Sequence, residues 1–210
     1  MTTSLPKMHL CPGRCLEYLG LHEDPILNPL IYPGRVPEES GLLADTCLLP
    51  LRDDGSNQLG RWFVESTGWT PVEDVWGGVK QISLDDVLRH FDQPTVSERH
   101  AVLAVGSNAS PGQLRHKFGT QFRQSIVPMT LAVAHGIVPG VSAHVSKAGY
   151  VPVTPVSEPG SASQLFVLWL PDNELQVLDR TEPNYNRILL GGIQFPIDLA
   201  GRWTLDSCWA

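Results

Sequence analysis

The sequence predicts an α+β fold: a small mixed or antiparallel, barrel-like sheet with few helices, preceded by an irregular N-terminal extension. Three observations predict it. Short apolar runs recur over 102–105, 129–135, 163–170 and 185–190, each bounded by turn residues. Only two helical patterns are inserted among them, and no strand–helix period repeats, which argues against a doubly wound parallel sheet. Gly 19 and Pro 18 in 210 residues imply many turns and short strands.

Composition bounds the function classes. A hydrophobic share of 42% and a charged share of 18% describe a foldable globular chain. A formal net charge of −7 argues against nucleic acid as a partner, which needs a basic surface. The strongest apolar run, 165–170, is far too short to span a bilayer, so no membrane partner is expected. The start, residues 1–7, lacks the apolar core of a signal peptide, and a cytoplasmic location is the expectation. The four cysteines require no disulfide framework. His9, Cys11 and Cys15 sketch half a metal site, but neither His22 nor Cys47 follows at a diagnostic spacing, so no metal is expected.

Residues 1–95 read as a Pro-rich extension packing on the barrel, and 96–210 as the main domain. In the extension, 16–19 is a short helix stopped by Gly20, and 42–51 is an apolar stretch that packs as strand. Trp62, Trp69 and Trp76 read as core aromatics rather than a binding face. Gly77-Gly78 is a turn. Residues 83–91 form a helix with Ser83 as cap, acids in the first turn, and Arg89 and His90 in the last. The main domain opens with the strand 102–105, which breaks at Gly106-Ser107-Asn108. Ser110 then suits the N-cap and Pro111 the first position of a helix over 111–118. Strands are expected over 129–135, 141–145, 150–156 and 163–170, with breaks at 136–140 and 158–160. A helix capped by Asp172 runs to Glu182, and strands over 185–190 and 193–199 close the chain.

Chemistry concentrates at two places. The loop Val105-Gly106-Ser107-Asn108 links a strand to a helix through small residues, so several backbone N–H groups can face one oxygen; the alternative is an ordinary strand-to-helix connection. Glu182 sits at a helix end before Pro183-Asn184, near Leu178 and Tyr185; apolar surroundings raise a carboxyl pKa toward general acid–base use. The alternative for Glu182 is a structural pair with Arg180 or Arg187. Ser107 lacks a base in a recognisable triad context, since His116, His135 and His144 all read as surface or structural.

Together these stretches resemble the gamma-glutamylcyclotransferase-like family. The resemblance rests on Leu103-Ala104-Val105-Gly106-Ser107-Asn108, then 165–171, then Leu178-Asp179-Arg180-Thr181-Glu182 and Tyr185-Asn186-Arg187, in the family's order over about residues 100–200. It implies a barrel of that family's type with one pocket. Val105, Gly106, Ser107, Asn108 and Tyr185 would bind a small-molecule substrate carrying a free α-amine, and Glu182 would be the general acid/base. The implied reaction is cyclisation of a gamma-glutamyl group to 5-oxoproline with release of an amine, without metal or cofactor. Val105 stands where the family has Tyr, so that hydroxyl contact is lost; Pro183 stands where it has Gly. The alternatives are a non-catalytic binding or scaffold protein keeping the barrel, and a hydrolase or acyltransferase in which water or a second amine attacks in the same pocket.

Overall fold

A computed structural model describes residues 13–65, 81–119, 121–122 and 125–210. The expectations on residues 1–7, His9, Cys11, Trp69, Trp76 and Gly77-Gly78 lie outside the described residues. Helix α1 (Leu16–Leu19) ends at Gly20, whose φ of 68° is left-handed. Strands β1 (Gly41–Ala44) and β2 (Cys47–Arg52) form a tight hairpin, and β3 (Phe63–Glu65) and β4 (Gln81–Ser83) extend it antiparallel. Helix α2 (Leu84–His90) is capped as expected: the Ser83 hydroxyl accepts the Asp86 amide at 3.2 Å. Next come β5 (His100–Ala104), a 3-10 turn (Ser107–Ala109) and α3 (Pro111–Gly119). The long hairpin of β6 (Ile126–Val141) and β7 (Val153–Leu170) leads to α4 (Asp172–Thr181). Short strands β8 (Leu189–Gly191), β9 (Ile197–Leu199), β10 (Trp203–Thr204) and β11 (Ser207–Trp209) finish the chain.

The fold is mixed α+β, with a large, mostly antiparallel sheet and, among the described residues, four helices. Strand order is β4-β3-β2-β1-β6-β7-β5-β11-β8, with β9 branching from β6 and β10 from β9. Only β11 and β5 pair in parallel among the described strands. The path runs open from β4 to β8. Segments from before residue 96 belong to this same sheet, since β1 pairs with β6 from Gly41↔Met129 to Ala44↔Ile126.

The sheet is buried on both faces. Leu42, Leu49 and Val64 pack with Leu84, Val87 and Leu88 of α2. Leu43, Leu48 and Met129 face the other way, toward Leu16 of α1, Leu114 and Phe118 of α3, and Leu175 and Leu178 of α4. Two covered faces leave no polar alternation, which is why 42–51 reads as a continuous apolar run. Trp62 is 3% exposed and joins the α2-side core. Cys47 is disulfide-bonded, whereas Cys15 and Cys208 are free thiols; spacing in the sequence held no sign of that bond.

Several local expectations need correction. No break occurs over 136–140: β6 continues, and Gly136, at φ 73°, absorbs a register shift opposite 158–161. The expected loop over 158–160 is the other side of that irregularity, inside β7. Of the strands expected over 141–145 and 150–156, Val141 ends β6 and 153–156 open β7, while 142–152 connect the two. Residues 185–188 are not strand; β8 begins at Leu189. Ser110 holds the cap position by its carbonyl, which accepts Leu114 N–H at 3.1 Å, but its hydroxyl faces Gly34 and caps nothing. Asp172 does not cap α4; its Oδ1 lies 2.7 Å from His100 Nε2.

One buried acid sets a pH dependence. Glu174 of α4 is 2% exposed; Ser125 Oγ donates to its Oε1 at 2.7 Å, and Oε2 has no partner among the described residues. Burial pushes its pKa up to about 7, against the opposing pulls of Ser125 and Arg99. The folded state therefore binds this proton more tightly than the unfolded chain. Its contribution to stability is complete below the unfolded value near 4.5 and is lost as pH rises through about 7. The difference between wild type and Glu174→Gln in unfolding free energy, from urea titrations between pH 4 and pH 8, is expected to change by about 3 kcal/mol in favour of the variant as pH rises. A difference flat across this range would show that Glu174 does not titrate there.

Candidate functional site

The amphipathic helix α4 packs Leu175, Val177 and Leu178 into the core, and Pro183 prevents its continuation. Glu182 is left at the C-terminal cap, with its amide on Asp179 O at 3.1 Å, and a turn closes when Tyr185 N–H reaches Glu182 O at 3.0 Å. On the neighbouring chain segment, β5 delivers Gly106, and the 3-10 turn holds Asn108 beside α3. The Ser107 and Asn108 amides begin that turn, so neither has an acceptor within it.

Tertiary packing brings Glu182 to this loop. Asn108 Nδ2 donates to Glu182 Oε1 at 3.2 Å, across 74 residues of sequence. Lys117 Nζ donates to the same Oε1 at 2.6 Å and to Asn108 Oδ1 at 2.8 Å. The Lys117 side chain is 4% exposed and that of Glu182 is 31% exposed. Burial pushes the Lys117 ammonium below its usual range, and Glu182 pulls it back up. Oε1 thus takes both hydrogen bonds, while Oε2 receives none among the described residues. One oxygen anchors the carboxylate.

Glu182 borders a cavity of about 1040 Å³ that is also lined by Val105, Gly106, Ser107, Asn108 and Tyr185, so all six residues singled out in the sequence meet at one place. Tyr185 is oriented by a 2.6 Å hydrogen bond between its hydroxyl and Ser142 Oγ. His144, which also lines the cavity, lies 3.3 Å from Asn184 Nδ2 through its Nε2. The two arginines near Glu182 in sequence do not hold it: Arg187 is bidentate to Asp179 at 2.6 and 2.9 Å, and its guanidinium carbon sits 4.9 Å from the Trp209 ring centroid. His116 and His135 are engaged elsewhere, with Asp24 and Asp198. Among the described residues no group of three His, Cys, Asp or Glu side chains is arranged to hold a metal ion.

Comparison with protein-family models, with curated proteins and with solved structures returns no match. The functional reading therefore stands on the site itself.

Sequence reasoning missed Lys117 and Tyr32. Lys117 left a trace: Leu114, Lys117 and Phe118 fall at i, i+3 and i+4, so a lysine occupies the apolar stripe of α3. A charge on a buried stripe needs a partner, and Glu182 is that partner. Tyr32, described below, left none. Among the described residues no helix is long and apolar enough to cross a membrane.

Proposed function

We propose that this protein is an intramolecular acyl transferase of the gamma-glutamylcyclotransferase-like type, with a barrel-like sheet of that family's kind around the cavity. The observation that carries the reading is the anchored Glu182 carboxylate beside the Gly106–Asn108 loop on one cavity. In this reaction Glu182 Oε2 takes a proton from the substrate's α-amine as its nitrogen attacks the γ-carbonyl carbon. The Ser107 and Asn108 amides donate to the developing oxyanion. The bond to the outgoing nitrogen then breaks, and Glu182 returns the proton to that nitrogen. The products are 5-oxoproline and a free amine; nothing else is consumed. Internal attack asks little beyond folding the substrate into an attack geometry, and Val105, Tyr185 and the loop supply the mould. The cavity exceeds a glutamyl group, which leaves space for the outgoing amine.

The test is a panel of gamma-glutamyl amines and peptides incubated with the protein, with products resolved by mass. 5-Oxoproline with the matching free amine is the expected result. Free glutamate would instead mark hydrolysis in the same pocket. Saturable binding without turnover would favour a binding or scaffold protein, a second reading motivated by the Lys117 ammonium against the proposed base.

A further inference from the structure

The segment ahead of residue 96 supplies a side chain to the cavity. Tyr32 follows a 3-10 turn (Pro29–Ile31) and stacks on Tyr150, with ring centroids 4.0 Å apart and planes 13° from parallel. Its hydroxyl accepts the Val153 amide at 2.7 Å. A phenol that accepts one hydrogen bond still has a proton to give, and among the described residues that proton has no acceptor. Burial raises the Tyr32 pKa, the Val153 amide opposes this, and Tyr150, Tyr185 and Glu182 add to the rise, so the proton stays on at neutral pH.

The free donor lies at the loop. A Cβ placed on Gly106 would be 3.0 Å from the Tyr32 hydroxyl and 3.3 Å from Val153 Cβ. Glycine at 106 is thus what lets the phenol approach the start of the 3-10 turn. Tyr32, Ser107, Asn108 and Glu182 all line one cavity, and the Ser107 and Asn108 amides open the 3-10 turn without an acceptor in it.

We infer that Tyr32 is a substrate-binding residue that donates its phenolic hydrogen to a ligand oxygen held at Gly106–Asn108, which makes the N-terminal segment part of the site. The inference rests on the cyclotransferase reading for the ligand, a gamma-glutamyl amine. Such a ligand offers an α-carboxylate and a γ-carbonyl. A contact to the carboxylate is alike in ground and transition states, so its loss raises KM. A contact to the carbonyl strengthens as the oxyanion forms, so its loss lowers kcat.

The experiment is Tyr32→Phe in the full chain, assayed on a gamma-glutamyl amine that wild type cyclises, with melting temperature measured alongside. Phe keeps the stack on Tyr150 and removes only the hydroxyl. kcat/KM is expected to fall about tenfold, with the KM–kcat split naming the oxygen, while the melting temperature falls by no more than about 4 °C. Gly106→Ala gives a second arm that needs no substrate: its melting-temperature loss should be smaller in the Tyr32→Phe background, because the hydroxyl it presses on is gone. Unchanged kcat/KM in Tyr32→Phe overturns the inference and leaves the cyclotransferase reading standing. Absence of coupling between the two substitutions overturns the placement of the hydroxyl over Gly106. Failure of wild type to cyclise any gamma-glutamyl amine overturns the reading and the inference with it.

Discussion

Glu182→Gln is expected to slow 5-oxoproline release by about 10²–10⁴-fold, the range typical of a lost general acid–base group. The substitution keeps the volume of the side chain and an oxygen that Lys117 and Asn108 can reach. What it removes is the ability to take a proton from the attacking amine and return it to the leaving one. The same change strips a buried ammonium of its counter-charge, since the Lys117 side chain is only 4% exposed. A stability loss is therefore expected beside the rate loss, and the two have to be read separately. Rates taken well below the melting temperature of the variant isolate the chemical effect. Glu182→Asp supplies the control: it keeps the charge for Lys117 but withdraws the carboxylate by one methylene, so stability should recover more than rate. Full turnover by folded Glu182→Gln would falsify the acid–base role.

Arg99→Met is expected to destabilise the fold by about 3 kcal/mol. Arg99 is 7% exposed and donates to three carbonyls: Pro94 O at 2.8 Å, Ile126 O at 2.9 Å and Trp169 O at 3.0 Å. These tie the approach to β5 to the start of β6 and the end of β7. Methionine fills the space of the aliphatic stem but leaves all three acceptors without this donor, each worth about 1–3 kcal/mol when buried. Part of that loss is offset because the guanidinium no longer has to be desolvated. Burial already brings its pKa down to about 10, with Glu174, Asp85 and Glu98 opposing. A melting-temperature drop of about 6–12 °C follows for a chain of this size. Arg99→Lys should fall between, because one ammonium does not reproduce the planar fork. A loss below about 1 kcal/mol by urea unfolding, with an unchanged m-value, would mean that water replaces the guanidinium at these carbonyls.

The segment 92–100 shows how a local reading falls short. Its polar, Pro-containing composition marks a linker, and locally it is one: a 3-10 turn (Val96–Glu98) closed by a capping box between Thr95 and Glu98. Nothing local marks Arg99 as a buried clasp, because two of its three acceptors come from residues 126 and 169. The extension misleads in a similar way. Its prolines signal irregularity, yet β1 and β2 are regular and buried, and β1 pairs with a strand more than eighty residues away in sequence. Gly136 misleads in the opposite direction. Glycine reads as a turn, but a long antiparallel partner keeps the strand going and turns the glycine into a bulge.

What the sequence by itself determined is local. The strand into Gly106, the helix from Pro111, the strand to Leu170 and the helix from Asp172 to the Glu182 cap follow from periodicity, capping residues and proline stops, all acting within a few residues. Local features mark Glu182 and the 105–108 loop as candidates, and the order of the motifs over about residues 100–200 joins them into one expected site. The tertiary structure alone decided what those residues touch. Lys117 meets Asn108 across 9 residues and Glu182 across 65, Asn108 meets Glu182 across 74, and Tyr32 meets Val153 across 121. The contacts across 65, 74 and 121 residues are set by strand register and by how α3 and α4 pack on one face of the sheet, and a local pattern carries no record of either.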